Sequence, residues 1–247
     1  MHKYITALLV LSLGLNIGTA RALPVNGTGN VTNNAIYGSG NSNGSWTGVN
    51  VNGIEVALRG KLRYDLAGNP QNIFNYDGNR TYTFDPTLSN APLNRSIFNF
   101  DFSINSNTNG STGNNLSAYT YLLEYDTDPT AGTTFIGFNP LTILGDNSYG
   151  NNSTAQSGGI GGTFAALGSA NNLVQNSQNL GFGYSGSPQN PGIYTFNLSV
   201  LSDAAVLATT SIDIRVGAVP EPGILTLFAL GIAGLGWARR KDLKMES

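Results

Sequence analysis

Phe98-Asn99-Phe100-Asp101-Phe102-Ser103-Ile104 alternates apolar and polar side chains without a break. Successive side chains of an extended chain point to opposite faces, so this stretch predicts a strand with one buried face. Working outward, the same period recurs where Ile54, Val56 and Leu58 alternate with Glu55, Ala57 and Arg59. It returns in the rows Tyr119, Tyr121, Leu123, Tyr125 and Tyr194, Phe196, Leu198, Val200. Last, Ile212, Ile214 and Val216 stand against Ser211, Asp213 and Arg215. Residues 193–201 and 206–216, joined by Ser202-Asp203-Ala204-Ala205, read as a closing hairpin.

Between these rows the chain is rich in Asn-Gly, Gly-Asn and Asn-Asn pairs, which enter left-handed turn conformations at little cost and mark loops. The longest such loop is expected over 146–162. Residues 163–173 predict a short helix, limited by Gly168. There is no internal repeat that would indicate a propeller or solenoid. The fold class expected is all-β: a single antiparallel β-sandwich of jelly-roll type over residues 53–216. An Asn/Gly-rich lead-in over 23–52 precedes it, with a short strand near Ala35-Ile36-Tyr37.

Composition narrows the chemistry. Charged residues are 11% of the 247, and the chain has no cysteine and one histidine, His2. Thiol chemistry, thiolate metal sites and His-dependent triads are therefore closed to any domain lying beyond the first residues. Between positions 23 and 216 there are six basic and eleven acidic residues. An acidic domain without a basic stripe does not suit nucleic acid, whose phosphates require Lys and Arg.

Both ends read as addresses. Lys3, the apolar run over 5–15 and Ala20-Arg21-Ala22 predict a signal peptide over 1–22, cleaved after Ala22, with Ala20 and Ala22 forming the A-x-A site. An apolar run this short does not span a bilayer, which takes about 20 residues. At the other end Val219-Pro220-Glu221-Pro222-Gly223 precedes an apolar stretch ending at Ala238, then Arg239-Arg240-Lys241. The prolines halt regular structure, and residues 223–238 predict a short transmembrane helix with its basic end in the cytoplasm.

This order of parts, over 217–247, resembles the PEP-CTERM sorting signal recognised by exosortases, with Pro220, Glu221, Pro222, Arg239 and Arg240 as the motif residues. The resemblance implies export through the Sec translocon and transient anchoring in the inner membrane. It further implies processing near the Pro-Glu-Pro by an exosortase in a Gram-negative bacterium that makes exopolysaccharide or biofilm matrix. The stretches 53–59, 99–104 and 175–179 also resemble the bodies of other PEP-CTERM proteins, which carry no activity to transfer.

Carboxylates are what remains for chemistry. Asp101 and Glu124, read as lying on adjacent strands, are the candidates for a polysaccharide hydrolase, which needs two such groups about 5–10 Å apart; the alternative is that both are solvated strand-face carboxylates. Glu124, Asp126 and Asp128 are the candidate calcium ligands, with a plain Asx-type turn as the alternative, and no other cofactor is expected. Tyr119, Tyr121, Tyr125 and Tyr194 are candidates for stacking on sugars, or else core residues. The reading that results is a non-catalytic exported surface or matrix protein associated with exopolysaccharide. A carbohydrate-binding module with structural calcium is the second reading, and a carboxylate-dependent hydrolase the third.

Overall fold

The computed structural model describes residues 29–33, 42–184 and 190–217. The predicted signal peptide with Ala20 and Ala22, the strand near Ala35-Ile36-Tyr37, and the tail with Pro220, Glu221, Pro222, Arg239 and Arg240 lie outside them. Among the described residues no helix is long and apolar enough to cross a membrane.

Among the described residues twelve strands form two sheets, and the alternating rows are among them. In chain order they are β1 (Thr47–Val51), β2 (Ile54–Tyr64), β3 (Pro70–Ile73), β4 (Thr81–Phe84), β5 (Phe98–Asn105) and β6 (Thr120–Asp126). There follow β7 (Phe135–Phe138), the short helix α1 (Pro140–Ile143), β8 (Asn147–Gly150), β9 (Ile160–Gly162), the short helix α2 (Phe164–Leu167), β10 (Leu173–Asn179), β11 (Gly192–Ser202) and β12 (Ala205–Val216). The first sheet runs β1-β2-β5-β10-β8-β9, with β3 also on β2; the second runs β4-β12-β11-β6-β7. Helix α2 ends where Gly168 caps it, shorter than the segment expected.

The apolar rows meet between the sheets. Phe98, Phe100, Phe102 and Ile104 of β5 are each fully buried, as are Phe196, Leu198 and Val200 of β11. Burying each such side chain contributes about 1.5–3 kcal/mol. The Phe100 and Phe196 ring centroids lie 4.7 Å apart, and Phe98 and Tyr194 5.3 Å, so aromatic pairs join the two layers. On β2 the inward row is interrupted by Gly60. A Cβ there would come within 2.9 Å of Ile214 Cδ1 and 3.1 Å of Tyr82 Cβ, so the missing side chain lets the sheets close.

The predicted hairpin is present: β11 and β12 pair antiparallel, and Asp203 and Ala204 turn the chain with φ of 46° and 67°. Two central positive-φ residues make the turn type whose twist matches the strands it joins.

Four expectations are corrected. Pairing is not wholly antiparallel, because β4 runs parallel to β12, Asp213 opposite Thr81. The loop over 146–162 contains the edge hairpin β8–β9. The sheet begins at Thr47, inside the stretch read as lead-in. Finally, β2 and β5 bury both faces rather than one. The physical reason for the last is that their polar row is internally paired and covered, as the next section describes.

Candidate functional site

The outer face of the first sheet carries Glu55, Arg59 and Lys61 on β2, Asn99, Asp101 and Ser103 on β5, and Gln175, Ser177 and Asn179 on β10. Arg59 stands opposite Asp101, and Asp101 opposite Ser177. Arg59 Nε donates to Asp101 Oδ2 at 2.7 Å, and Lys61 Nζ lies 3.2 Å from Oδ1; the three side chains are 0–1% exposed. Arg59 Nη1 donates to the carbonyls of Ser42 and Gly44 at 2.8 and 2.9 Å. The guanidinium carbon sits 4.2 Å from the Trp46 ring centroid and 4.5 Å from that of Phe74, so two rings cover its faces.

Asp101 is thus neither a solvated carboxylate nor an accessible one. Burial alone would push its carboxyl up, but the Lys61 and Arg59 charges and a Ser177 hydrogen bond outweigh it and hold the group below the usual carboxylate range. For Lys61 the balance runs the other way: burial outweighs the attraction of Asp101 and pushes its ammonium down.

The covering chain is the segment ahead of β1. Thr32 N donates to Glu55 Oε1 at 2.9 Å and its hydroxyl to Oε2 at 2.6 Å. Gln175 Nε2 donates to Asn33 O at 2.8 Å, Trp46 N to Gly29 O at 2.7 Å, and Asn43 Nδ2 to Val31 O at 2.8 Å. Val31, Trp46 and Ala57 form a small apolar cluster separate from the main core. A cleft of about 370 Å³ remains beside this strap, bounded by Asn30, Trp46, Asn50 and Glu55. Glu55 is 8% exposed, and burial, larger than the opposing Thr32 bonds, pushes its carboxyl up. Sequence reasoning passed over Glu55, Trp46 and the strap; an Asn/Gly/Ser-rich segment gives no period from which docking could be read.

The hydrolase pair is not assembled. Asp101 and Glu124 do not lie on adjacent strands: β5 belongs to the first sheet and β6 to the second. Their neighbours Phe100, Phe102, Leu123 and Tyr125 fill the core between the sheets. The two carboxylates therefore point away from each other, out of opposite sides of the sandwich.

Of the calcium candidates, Asp126 is buried, and its Oδ1 accepts from the backbone N–H groups of Asp128 and Thr134 at 3.0 and 2.8 Å. Asp128 Oδ1 accepts from Thr130 N at 3.0 Å. Both shape the turn between β6 and β7, while Glu124 lies on the outward row of β6 opposite Gly137. Among the described residues no three His, Cys, Asp or Glu side chains gather as a metal-holding group. Tyr121, Tyr125 and Tyr194 are 1–3% exposed in the core, and Tyr119 is partly buried against it, so these rows form no stacking face.

A second hollow of about 440 Å³ opens at the far edge of the second sheet, between Ile136 and Phe138 of β7 and Ile143, Phe182 and Tyr184 opposite. Gln178 lies in its wall, and its Oε1 accepts from Tyr184 Oη at 3.3 Å.

Residues 218–241 match the family model of the PEP-CTERM protein-sorting motif. No curated protein and no solved structure matches the chain. The motif begins two residues after β12 ends, and it marks an exported protein, sorted by an exosortase to the cell envelope or surface.

Proposed function

We propose that the sandwich is a non-catalytic surface or extracellular-matrix domain, held at the inner membrane during export and then processed by the exosortase. Its partner in this reading is exopolysaccharide. The observation that carries the proposal is the sorting motif placed directly after the last strand, so that the folded domain is the cargo of the sorting step. The fate of the four candidate carboxylates supports the non-catalytic part. Asp101 is consumed by Arg59 and Lys61, and Asp126 and Asp128 by turns, while Glu124 faces away from Asp101.

Mass spectrometry of the mature protein, recovered from source cells and medium, tests the sorting part. The expected product begins at Leu23 and ends near Pro220-Glu221-Pro222; a chain retaining residues 224–247 in both fractions refutes release. Co-sedimentation with the source's own exopolysaccharide tests the partner. Retention in the pellet is expected, and its absence alongside correct processing would refute the partner while leaving the sorting intact.

A further inference from the structure

The last strand leaves the sandwich beside the end of β4. Val216 stands opposite Phe84, and Gly217 N donates to Phe84 O at 2.9 Å. The turn Pro86–Leu88 follows β4 directly, and Asn90 N donates to Asp65 O at 2.8 Å, so the loop after β2 lies at the same end. The residues ahead of β5 complete it, Arg63 N donating to Ile97 O at 2.7 Å. Ile224, where the apolar stretch of the sorting tail begins, is seven residues beyond Gly217, a reach of at most about 25 Å. Strand β12 alone covers twelve residues, roughly 40 Å. A membrane holding residues 224–238 is therefore within reach of this end and out of reach of the other.

The same end displays leucine. Leu66 is 62% exposed, Leu88 56% and Leu93 90%, and among the described residues these are the exposed leucines. Asp65 Oδ1 accepts from Ala67 N and Asn69 N, both at 2.8 Å, and Asp85 Oδ1 from Thr87 N at 2.9 Å. Each carboxylate is thus turned into its loop, while the leucine of that loop stands in solvent. Leu93 follows Pro92 in the turn closed by Arg95 N on Pro92 O at 3.0 Å. Loops of the opposite end, 106–119 and 151–159, are mostly Asn, Gly, Ser and Thr, and Leu116, their only leucine, is fully buried. One exposed leucine is ordinary, but three at the end from which an apolar tail departs give the domain a polarity.

We infer that Leu66, Leu88 and Leu93 form a membrane-contact surface, dipping into the headgroup region of the bilayer that holds the tail. The inference rests on the anchored stage proposed above and gives the domain an orientation in it. Charge does not oppose the contact. At the surface of this end Arg63, Arg95 and Arg215 stand with Asp65, Asp85 and Asp128, three of each sign. Asp128, like the other two aspartates, is turned into its loop, its Oδ1 accepting from Thr130 N at 3.0 Å. Apolar side chains gain by leaving water for the interface, and arginines beside them keep their charged heads in water while their stems are covered.

The chain has no cysteine, so single cysteines carry a fluorescent label to chosen positions of the full chain. Ala67→Cys reports the leucine end, Ala155→Cys the opposite end and Ala229→Cys the tail. Each is placed in phosphatidylcholine vesicles, whose zwitterionic surface offers no net charge to attract the domain. One set of vesicles bears a nitroxide on the lipid headgroup, the other deep in the acyl chain. The acyl-chain nitroxide is expected to quench the label at 229, and the headgroup nitroxide to quench that at 67 several-fold more than that at 155. Leu66→Ser, Leu88→Ser and Leu93→Ser together are expected to abolish this excess with tail quenching intact. Leu93→Ser alone, at the most exposed position, is expected to lower it part way and serves if the triple variant fails to fold. An unquenched tail label overturns the anchored reading and the inference with it. A quenched tail with equal quenching at 67 and 155 overturns the inference alone. An excess that survives the serine variants also overturns it, since the tether then suffices without the leucines. An excess seen only when an exosortase is reconstituted alongside overturns it too, and assigns the leucines to the enzyme's surface.

Discussion

Arg59 and Asp101 face each other on adjacent interior strands of the first sheet, joined at 2.7 Å with neither side chain exposed. With Lys61 at 3.2 Å on the other oxygen, two cations share one buried carboxylate. Removing that carboxylate takes from both the buried anion they share. Asp101→Ala is expected to lower stability by about 3–5 kcal/mol, read as a fall in the urea midpoint at an unchanged slope.

Among the carboxylates whose titration is shifted, the buried pair Asp101 and Glu55 act on stability with opposite sign. The Asp101 carboxyl is held below its ordinary value of 3.8, so its contribution is present above that pH and lost as pH falls through the lower folded value. The Glu55 carboxyl is raised above 4.5, so its contribution is present below pH 4.5 and lost as pH rises through the raised folded value. Just above pH 4.5 the wild-type urea midpoint is expected to decline with rising pH. Glu55→Gln should flatten that decline, and an unchanged decline in the variant would assign it to another group.

Gly60 tests how closely the sheets approach. A methyl group at this position meets Ile214, itself fully buried, at 2.9 Å. Gly60→Ala is expected to destabilise by about 1–3 kcal/mol, as overpacking does, seen as a lower midpoint in thermal unfolding followed by circular dichroism.

The β11–β12 turn has room for improvement. Ala204 holds φ of 67°, a conformation that costs an ordinary residue roughly 1–2 kcal/mol. Ala204→Gly is expected to raise the melting temperature, with a gain of about 0.5–1 kcal/mol once glycine's greater freedom in the unfolded chain is counted. A lower melting temperature would mean that the Ala204 methyl makes contacts worth more than the strain.

What could be read in advance was governed by period. Strands β2, β5, β6, β11 and β12 each set an apolar row against the core, and alternation announces that arrangement. Strand β10 was not visible as a strand, because Gln175, Asn176, Ser177, Gln178 and Asn179 look like loop and yet lie inside. Asn179 Nδ2 donates to the Ser96 and Phe98 carbonyls at 2.9 and 3.0 Å, and Asn172 Nδ2 to Asn105 Oδ1 at 2.8 Å. Amides that signal turns by composition act here as cross-links between strands, and their hydrophilicity conceals the burial.

The charged cluster was hidden for a different reason. Arg59, Lys61 and Asp101 each occupy the polar position of an alternating row, where solvent exposure is the ordinary outcome. Their mutual neutralisation depends on which strands are adjacent, and that information is not local. The β6–β7 turn was legible as far as it went: Asp126 and Asp128 cap backbone N–H groups, as such residues do in turns.

The position of β12 has a consequence for the order of events. Residues 205–216 form the last of the described strands, yet they lie between β4 and β11, and among the described strands β4 pairs with no other. A chain made from its amino end therefore holds Tyr82 and Phe84 in waiting while more than a hundred residues follow. Closure comes only when the final strand arrives, immediately ahead of the sorting motif. Until then β4 stands apart from the rest of the second sheet, which β6, β7 and β11 form among themselves, so the sandwich is completed just ahead of the sorting tail.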